Sequence, residues 1–309
     1  MKNRLTFPLL LFISITIFCL QSKNYFVQSY GPLDQNYKPT PALLNLLNFL
    51  QVQHDGSLES IVKATQQAWL RPKDKERWEI AERYENKREE LLNHFSLVGI
   101  VDNIKPTNKH YDYVILLGCT APTFRKRIAH LVKLFNAGTS FDKIVLLGSQ
   151  RSLDSNLESV EELLDAHNKW LSFKPDWQQP ASMPTTEIEM MKMIIDQTKL
   201  PSELSIVPFI FVDTPMQIAG DGTIRRATTA DTIAQWLSAS PKPGSCILIS
   251  SQPYVGYQDA VARTNLPLSF TVDTVGLEAG MKEKIVTYLD SLARWLYQEN
   301  ALCGQHKGY

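Results

Sequence analysis

Tyr113-Val114-Ile115-Leu116-Leu117-Gly118-Cys119-Thr120-Ala121-Pro122 is the stretch on which the reading of the fold turns. Its apolar run from Tyr113 to Leu117 lacks the in-out alternation of a half-exposed strand and runs straight into a glycine and a polar turn. From Pro122 the period changes: Phe124, Ile128, Leu131 and Phe135 recur at helical spacing up to Ala137, and Gly138 ends the helix. A second apolar run, Lys143 to Leu147, follows and again stops at a glycine, Gly148. Short apolar strands separated by helices, and apolar on both faces, predict a parallel sheet covered on both sides.

The same alternation continues toward the C-terminus. After an irregular Trp- and Pro-containing insertion, Ser152 to Pro184, the pattern predicts a helix over Thr186–Thr198 and a strand over Val207–Asp213. It then predicts a helix over Thr228–Ser238, a strand over Cys246–Ser251, a short helix over Gln258–Thr264, a strand over Leu268–Val272 and a last helix around Met281–Gln298. The expected fold class is α/β, a Rossmann-like three-layer parallel sheet flanked by helices. Toward the N-terminus, Pro41 to Leu97 shows a helical pattern in three segments, with Leu43, Leu46 and Leu47 in the first, Ile61 and Trp69 in the second, and Trp78, Tyr84, Leu91 and Phe95 in a third from Lys73, as apolar faces suited to docking on the neighbouring domain. Asp102 to His110 reads as the connection. The expected organisation is a leader over residues 1–23, a helical N-terminal region over 24–105 and an α/β domain over 106–309.

In the leader, Lys2 and Arg4 precede the apolar stretch Leu5–Leu20, which ends at Gln21, Ser22 and Lys23. That order of charge and hydropathy marks a signal sequence or membrane anchor better than a buried N-terminal helix. The run is short for a spanning helix unless Tyr25, Phe26 and Val27 extend it, and Leu20 and Ser22 could serve a cleavage site, so anchoring and cleavage both stay open. The rest of the chain is expected to face the periplasm, with the inner membrane as a partner if the leader is retained. The 309 residues carry 32 basic and 32 acidic side chains, so no global field points to nucleic acid. Cys19, Cys119, Cys246 and Cys303 lie far apart and offer neither a zinc motif nor a disulfide framework.

Open parallel sheets bind ligands beyond the carboxyl ends of their strands, which directs attention to the turns. Gly118, Cys119 and Thr120 follow the first strand, and Arg125, Lys126 and Arg127 lie in the first turns of the next helix. Cations there oppose the helix dipole, and a bound anion would relieve the conflict; Arg125 and Lys126 read equally well as solvated charges. The second strand ends in Gly148, Ser149, Gln150 and Arg151, the last suited to a bidentate anion contact. Asp213 closes the third strand, with Thr228 and Asp231 opening the following helix, and Ser250, Ser251 and Tyr254 follow the fourth. Thr186 with Glu189 forms a capping-box pattern, and Thr228 could likewise serve as a cap. Cys119 reads either as a nucleophile or as a packed small residue, and no histidine is placed to serve it. Glu187 and Asp213 are the acid-base candidates, or else satisfy backbone donors and arginines. Common nucleotide-binding and hydrolase signatures are missing.

These stretches, taken in order, resemble the YdcF-like family of SanA- and ElyC-like envelope proteins, over roughly residues 111 to 298. The resemblance rests on Tyr113–Gly118, Arg127–Leu131, Ile144–Ser149, Thr186–Met191, Ala227–Asp231 and Ile249–Tyr257. The family's Ser-Gly-Gly turn is here Leu147, Gly148 and Ser149, its second asparagine is Asp231, and its fourth-turn His and Arg correspond to Tyr254 and Tyr257. Whatever that histidine does is therefore lost here or taken over by a phenol. The resemblance implies a Rossmann-like fold and a link to envelope and peptidoglycan metabolism, with S-adenosylmethionine proposed as ligand for one branch. The expectation is a protein that binds a phosphorylated or nucleotide-like small molecule, as a hydrolase or transferase or as a noncatalytic sensing or structural module. The sequence identifies no cofactor.

Overall fold

The computed structural model describes residues 31–72, 75, 79–280 and 282–307. The leader, Cys19, Trp78 and Met281 lie outside the described residues. Helices α1 (Pro41–Phe49), α2 (Leu58–Trp69) and α3 (Arg88–Val98) come first; Thr40 and Ser57 cap α1 and α2 through their side-chain oxygens, and Gly99, at φ 84°, ends α3. Strand β1 (His110–Leu117), helix α4 (Ala121–Asn136) and strand β2 (Ser140–Ser149) follow, then the short α5 (Val160–Leu163), α6 (Glu187–Gln197) and α7 (Ser202–Ser205). Strand β3 (Phe209–Thr214) leads into a small hairpin, β4 (Gln217–Ile218) and β5 (Ile224–Arg225). The chain closes with α8 (Thr229–Ser238), β6 (Ser245–Ser251), α9 (Val255–Asn265), β7 (Thr271–Leu277) and α10 (Ile285–Lys307).

The five long strands pair in the order β3-β2-β1-β6-β7, all parallel, so the protein is a Rossmann-like α/β sheet flanked by helices. Alternate residues of the apolar runs serve opposite faces. Val114, Leu116, Ile144 and Leu146 pack under α4 and α6, while Tyr113, Ile115, Val145 and Leu147 pack with Ile233 and Trp236 of α8 and Ala262 of α9. Burial of both faces is why these strands read as unbroken apolar runs, each fully buried Leu or Ile contributing about 1.5–3 kcal/mol. The helical prelude shares its core with the C-terminal helix: Leu43, Leu47, Ile61, Leu91 and Phe95 cluster with Ile285, Tyr288, Leu289 and Leu292 of α10.

Several predicted elements are displaced: the third prelude helix begins only at Arg88 rather than Lys73, and the last helix runs Ile285–Lys307 rather than around Met281–Gln298. The strand expected over Leu268–Val272 is Thr271–Leu277, because Pro267 to Phe270 form a turn closed by the Phe270 N–H on the Pro267 carbonyl, with Leu268 exposed. Helix α9 begins at Val255 rather than Gln258, since the Tyr254 N–H turns back onto Ser251 at once. The outer edge of β7 is covered: Ile104 and Gly276 exchange hydrogen bonds, and Thr107 donates to Asp273. Among the described residues no segment pairs with the outer edge of β3. No described helix is long and apolar enough to cross a membrane.

Candidate functional site

The chain steps outward from β1 through β2 to β3, then returns to β6 on the other side of β1. The direction of winding therefore reverses between β1 and β6, where doubly wound sheets open a crevice at their carboxyl edge. Helices α4 and α9 both start there. Neither has a side-chain cap: the Thr120 hydroxyl donates to Thr123 Oγ1 instead, and Tyr254 caps nothing with its side chain. Helices α6 and α8, by contrast, open on complete capping boxes, Thr186 with Glu189 and Thr228 with Asp231. Thr186 and Thr228 thus satisfy their own helices.

Arg127, from the second turn of α4, lies across the end of β1. Its Nη1 donates to the Leu117 carbonyl at 2.8 Å and its Nη2 to Gln258 Oε1 of α9 at 3.4 Å, while Nε has no partner. The Ser250 hydroxyl donates to the same Gln258 oxygen. Arg127 is 3% exposed, and no carboxylate lies within ion-pair distance of it among the described residues. Ser251 is buried in the same turn, and Gln252 is turned away, its Nε2 bonding the Gly99 and Asp102 carbonyls of the prelude.

Arg151 is placed differently from the expected anion contact. Nε donates to Glu187 Oε1 at 2.9 Å, Nη1 to Glu158 Oε2 at 2.8 Å and to the Ser152 carbonyl, and Nη2 to Glu158 Oε1 at 2.8 Å and to the Cys119 carbonyl. All five N–H donors of the guanidinium are taken, so an anion would have to displace a carboxylate. Burial alone would pull the Arg151 pKa down; the Glu158 hydrogen bonds and the charges of Glu187 and Glu158 outweigh it and raise it. Glu187 is as fully committed. Its second oxygen accepts the Ser149 N–H at 3.0 Å and the Ser149 hydroxyl at 2.7 Å, and it packs so closely on Gly118 that a side chain there would overlap the carboxylate. This is the alternative weighed for Glu187, a carboxylate that satisfies a backbone donor and an arginine.

Cys119 sits among Arg127, Arg151, Glu187 and Glu158, mostly buried. Burial of the thiol pushes its pKa up to about 11, Arg127 only partly opposing this, which suits a packed thiol and not an activated nucleophile. Gly148 is explained by packing: a Cβ there would strike Ile188 and Met191 of α6. Asp213 is exposed on the outermost strand and registers with Gly148, while Gln150 is exposed at the β2 end. Arg125, buried, is engaged by the Glu162 and Leu163 carbonyls and the Glu162 carboxylate.

The structure therefore brings Gly118, Cys119, Arg127, Ser149, Arg151 and Glu187 together, and joins Ser250 to them through Gln258. Thr228 and Asp231 belong to a separate, more exposed group with Arg225, whose hydrogen bond lowers the Asp231 pKa to about 2. Two members of the cluster were not foreseen. Glu158 lies in the irregular insertion, where no periodicity marks a buried acid, and Gln258 was read only as the start of a helix. Among the described residues no group of His, Cys, Asp and Glu side chains is placed to hold a metal ion. A shallow pocket of about 330 Å³, lined by Glu82, Glu85, Arg88, Lys282 and Lys284, lies away from this edge, between the prelude and the start of α10. The chain matches no protein-family model, and no curated protein matches it.

Proposed function

We propose that this chain is an exported or membrane-anchored envelope protein that binds a small anionic molecule, phosphorylated or nucleotide-like, at the β1–β6 crevice. The observation that carries the proposal is Arg127: a guanidinium removed from water, with an unpartnered Nε and no carboxylate in contact. Burying such a charge is costly unless something pairs with it. The N-termini of α4 and α9, neither of which has a side-chain cap, present positive dipole ends of the sign an anion needs, beside Gly118, Cys119 and Thr120. The envelope location follows the basic and apolar leader and the YdcF-like resemblance. Binding is favoured over catalysis because Glu187 is held by Ser149 and Arg151 and would have to leave both before it could move a proton.

The test is a thermal-unfolding screen of the full chain in mild detergent with inorganic phosphate, nucleotides, S-adenosylmethionine, sugar phosphates and isoprenoid phosphates. At 100 times its dissociation constant a ligand adds about 2.7 kcal/mol to stability, a readily visible midpoint shift. We expect such a shift from at least one anionic compound, and expect Arg127→Met to abolish it. A shift that survives Arg127→Met moves the ligand elsewhere, and the absence of any shift overturns the proposal.

A further inference from the structure

The two edges of the sheet are treated differently. The edge of β7 is closed by the chain itself through Ile104 and Thr107, whereas that of β3 has no partner among the described residues. The Ile144 N–H bonds the Pro208 carbonyl and the Gln150 N–H bonds the Thr214 carbonyl, which fixes the parity of β3: residues 208, 210, 212 and 214 face β2. Phe209, Phe211 and Asp213 therefore point their N–H and C=O groups outward. Of the nine exposed large apolar residues among those described, five, Ile206, Phe211, Met216, Ile218 and Ile224, fall in or beside this strand, with exposures from 37% to 81%. Ile218 and Ile224 are cross-strand partners on the hairpin that follows β3. A bare edge and a row of exposed apolar groups on one margin mark an interaction surface.

We propose that this margin is where two copies of the chain join, by antiparallel pairing of β3 with β3 about a two-fold axis at Phe211. This goes beyond the anion site and does not depend on it. The edge is self-complementary in three respects. The outward residues are symmetric about Phe211, so Phe211 faces its own copy while Phe209 faces Asp213 in both directions, each pair exchanging N–H···O bonds. Extending that register past the strands sets Ile206 of one copy beside Met216 of the other, and both are exposed. The charges also match. Lys192 Nζ of α6 lies 5.7 Å from the Phe211 ring centroid on the face that carries Asp213, and among the described residues of its own chain no carboxylate forms an ion pair with it. Pairing brings the Asp213 of the second copy to that face. An unrelated extended peptide could use the same backbone edge, but the apolar Ile206–Met216 match and the Lys192–Asp213 match favour a second copy.

Facing residues of a hydrogen-bonded antiparallel pair have Cα atoms about 5.5 Å apart, within the range a disulfide spans. Phe211→Cys in the full chain, oxidised in mild detergent, should therefore yield a covalent dimer at least ten times more abundantly than Leu268→Cys beside β7, although Leu268 is the more exposed of the two, 72% against 37%. The native chain, with its own cysteines, sets the background. Light scattering should give twice the chain mass for the native protein and the single mass for Phe211→Lys, with an unchanged circular-dichroism spectrum. Cross-linking at position 211 no faster than at 268, or a native protein that stays at the single mass at the highest concentration reached, overturns the proposal.

Discussion

Arg127 and Arg151 brace the same turn, one through the Leu117 carbonyl and the other through the Cys119 carbonyl, yet their surroundings are opposite. Arg151 has two carboxylates and no free donor; Arg127 has no carboxylate and an unpartnered Nε. Two guanidiniums and two carboxylates sum to zero around Cys119, but both negative charges are spent on one arginine. The cluster is neutral as a whole and polarised across its width. Its Arg151 side acts as a clasp, holding the insertion after β2 to the sheet, while its Arg127 side keeps positive charge beside two uncapped helices.

The comparison breaks most visibly on the clasp side. The Glu158 side chain is fully buried and accepts from both terminal nitrogens of Arg151 and from the Asp154 N–H. Glu158→Gln leaves Arg151 with half its neutralisation and should cost about 3 kcal/mol, the range for unpairing a buried charge. Urea titration gives the number, and a loss below about 1 kcal/mol would mean that the clasp is slack. Arg127→Met should behave in the contrary way. It removes a buried charge that nothing pairs, so stability should rise or stay within about 1 kcal/mol of the native value, the lost hydrogen bonds offsetting part of the gain. A cost near that of Glu158→Gln would show that Arg127 is another structural arginine and would remove the case for an anion.

The smallest effect sharpens the contrast by showing an arginine pair in the open. Arg225 holds the Asp231 pKa at about 2, below its usual 3.8, chiefly through the hydrogen bond between them, with Thr228 adding to it. A depressed carboxylate contributes its stability above the unfolded value and loses it as the pH falls through the folded one. Unfolding midpoints of the native chain and Asp231→Asn should therefore differ by the equivalent of about 1 kcal/mol near pH 6 and converge as the pH drops from 4 toward 2. A gap that is constant with pH would assign the effect to the helix cap alone.

The alternation of strand and helix was legible because each central strand is buried on both faces, which leaves an unbroken apolar run in the sequence. Legibility failed where that condition fails. Strand β7 reads Thr271-Val272-Asp273-Thr274-Val275-Gly276-Leu277, and its polar residues are occupied: Asp273 receives Thr107 and Tyr111, and Thr274 donates to Asp259. The apolar residues just before it mislead because Leu268 stands in a turn. In the site, residue types were legible and partnerships were not. Arg127 and Arg151 look alike in sequence; what separates them is Glu158, seven residues along an irregular segment, and Gln258, more than a hundred residues away. Hydrogen-bond partners across such separations leave no periodic trace.

The excursion between β2 and α6 begins and ends at one place, since Ser152 bridges Thr186 and the Glu187 N–H bonds the Arg151 carbonyl. Its stem is fastened at the Arg151 clasp, its middle is tied down by Arg125 on Glu162 and by Phe173 bridging Thr198, and its far part, residues 178–182, is exposed throughout. Added length at that far part changes the closure entropy only logarithmically and leaves the sheet register untouched. The loop is in effect a mounting bracket, at which a fluorescent reporter or a foreign domain can be carried without being felt at the strand ends.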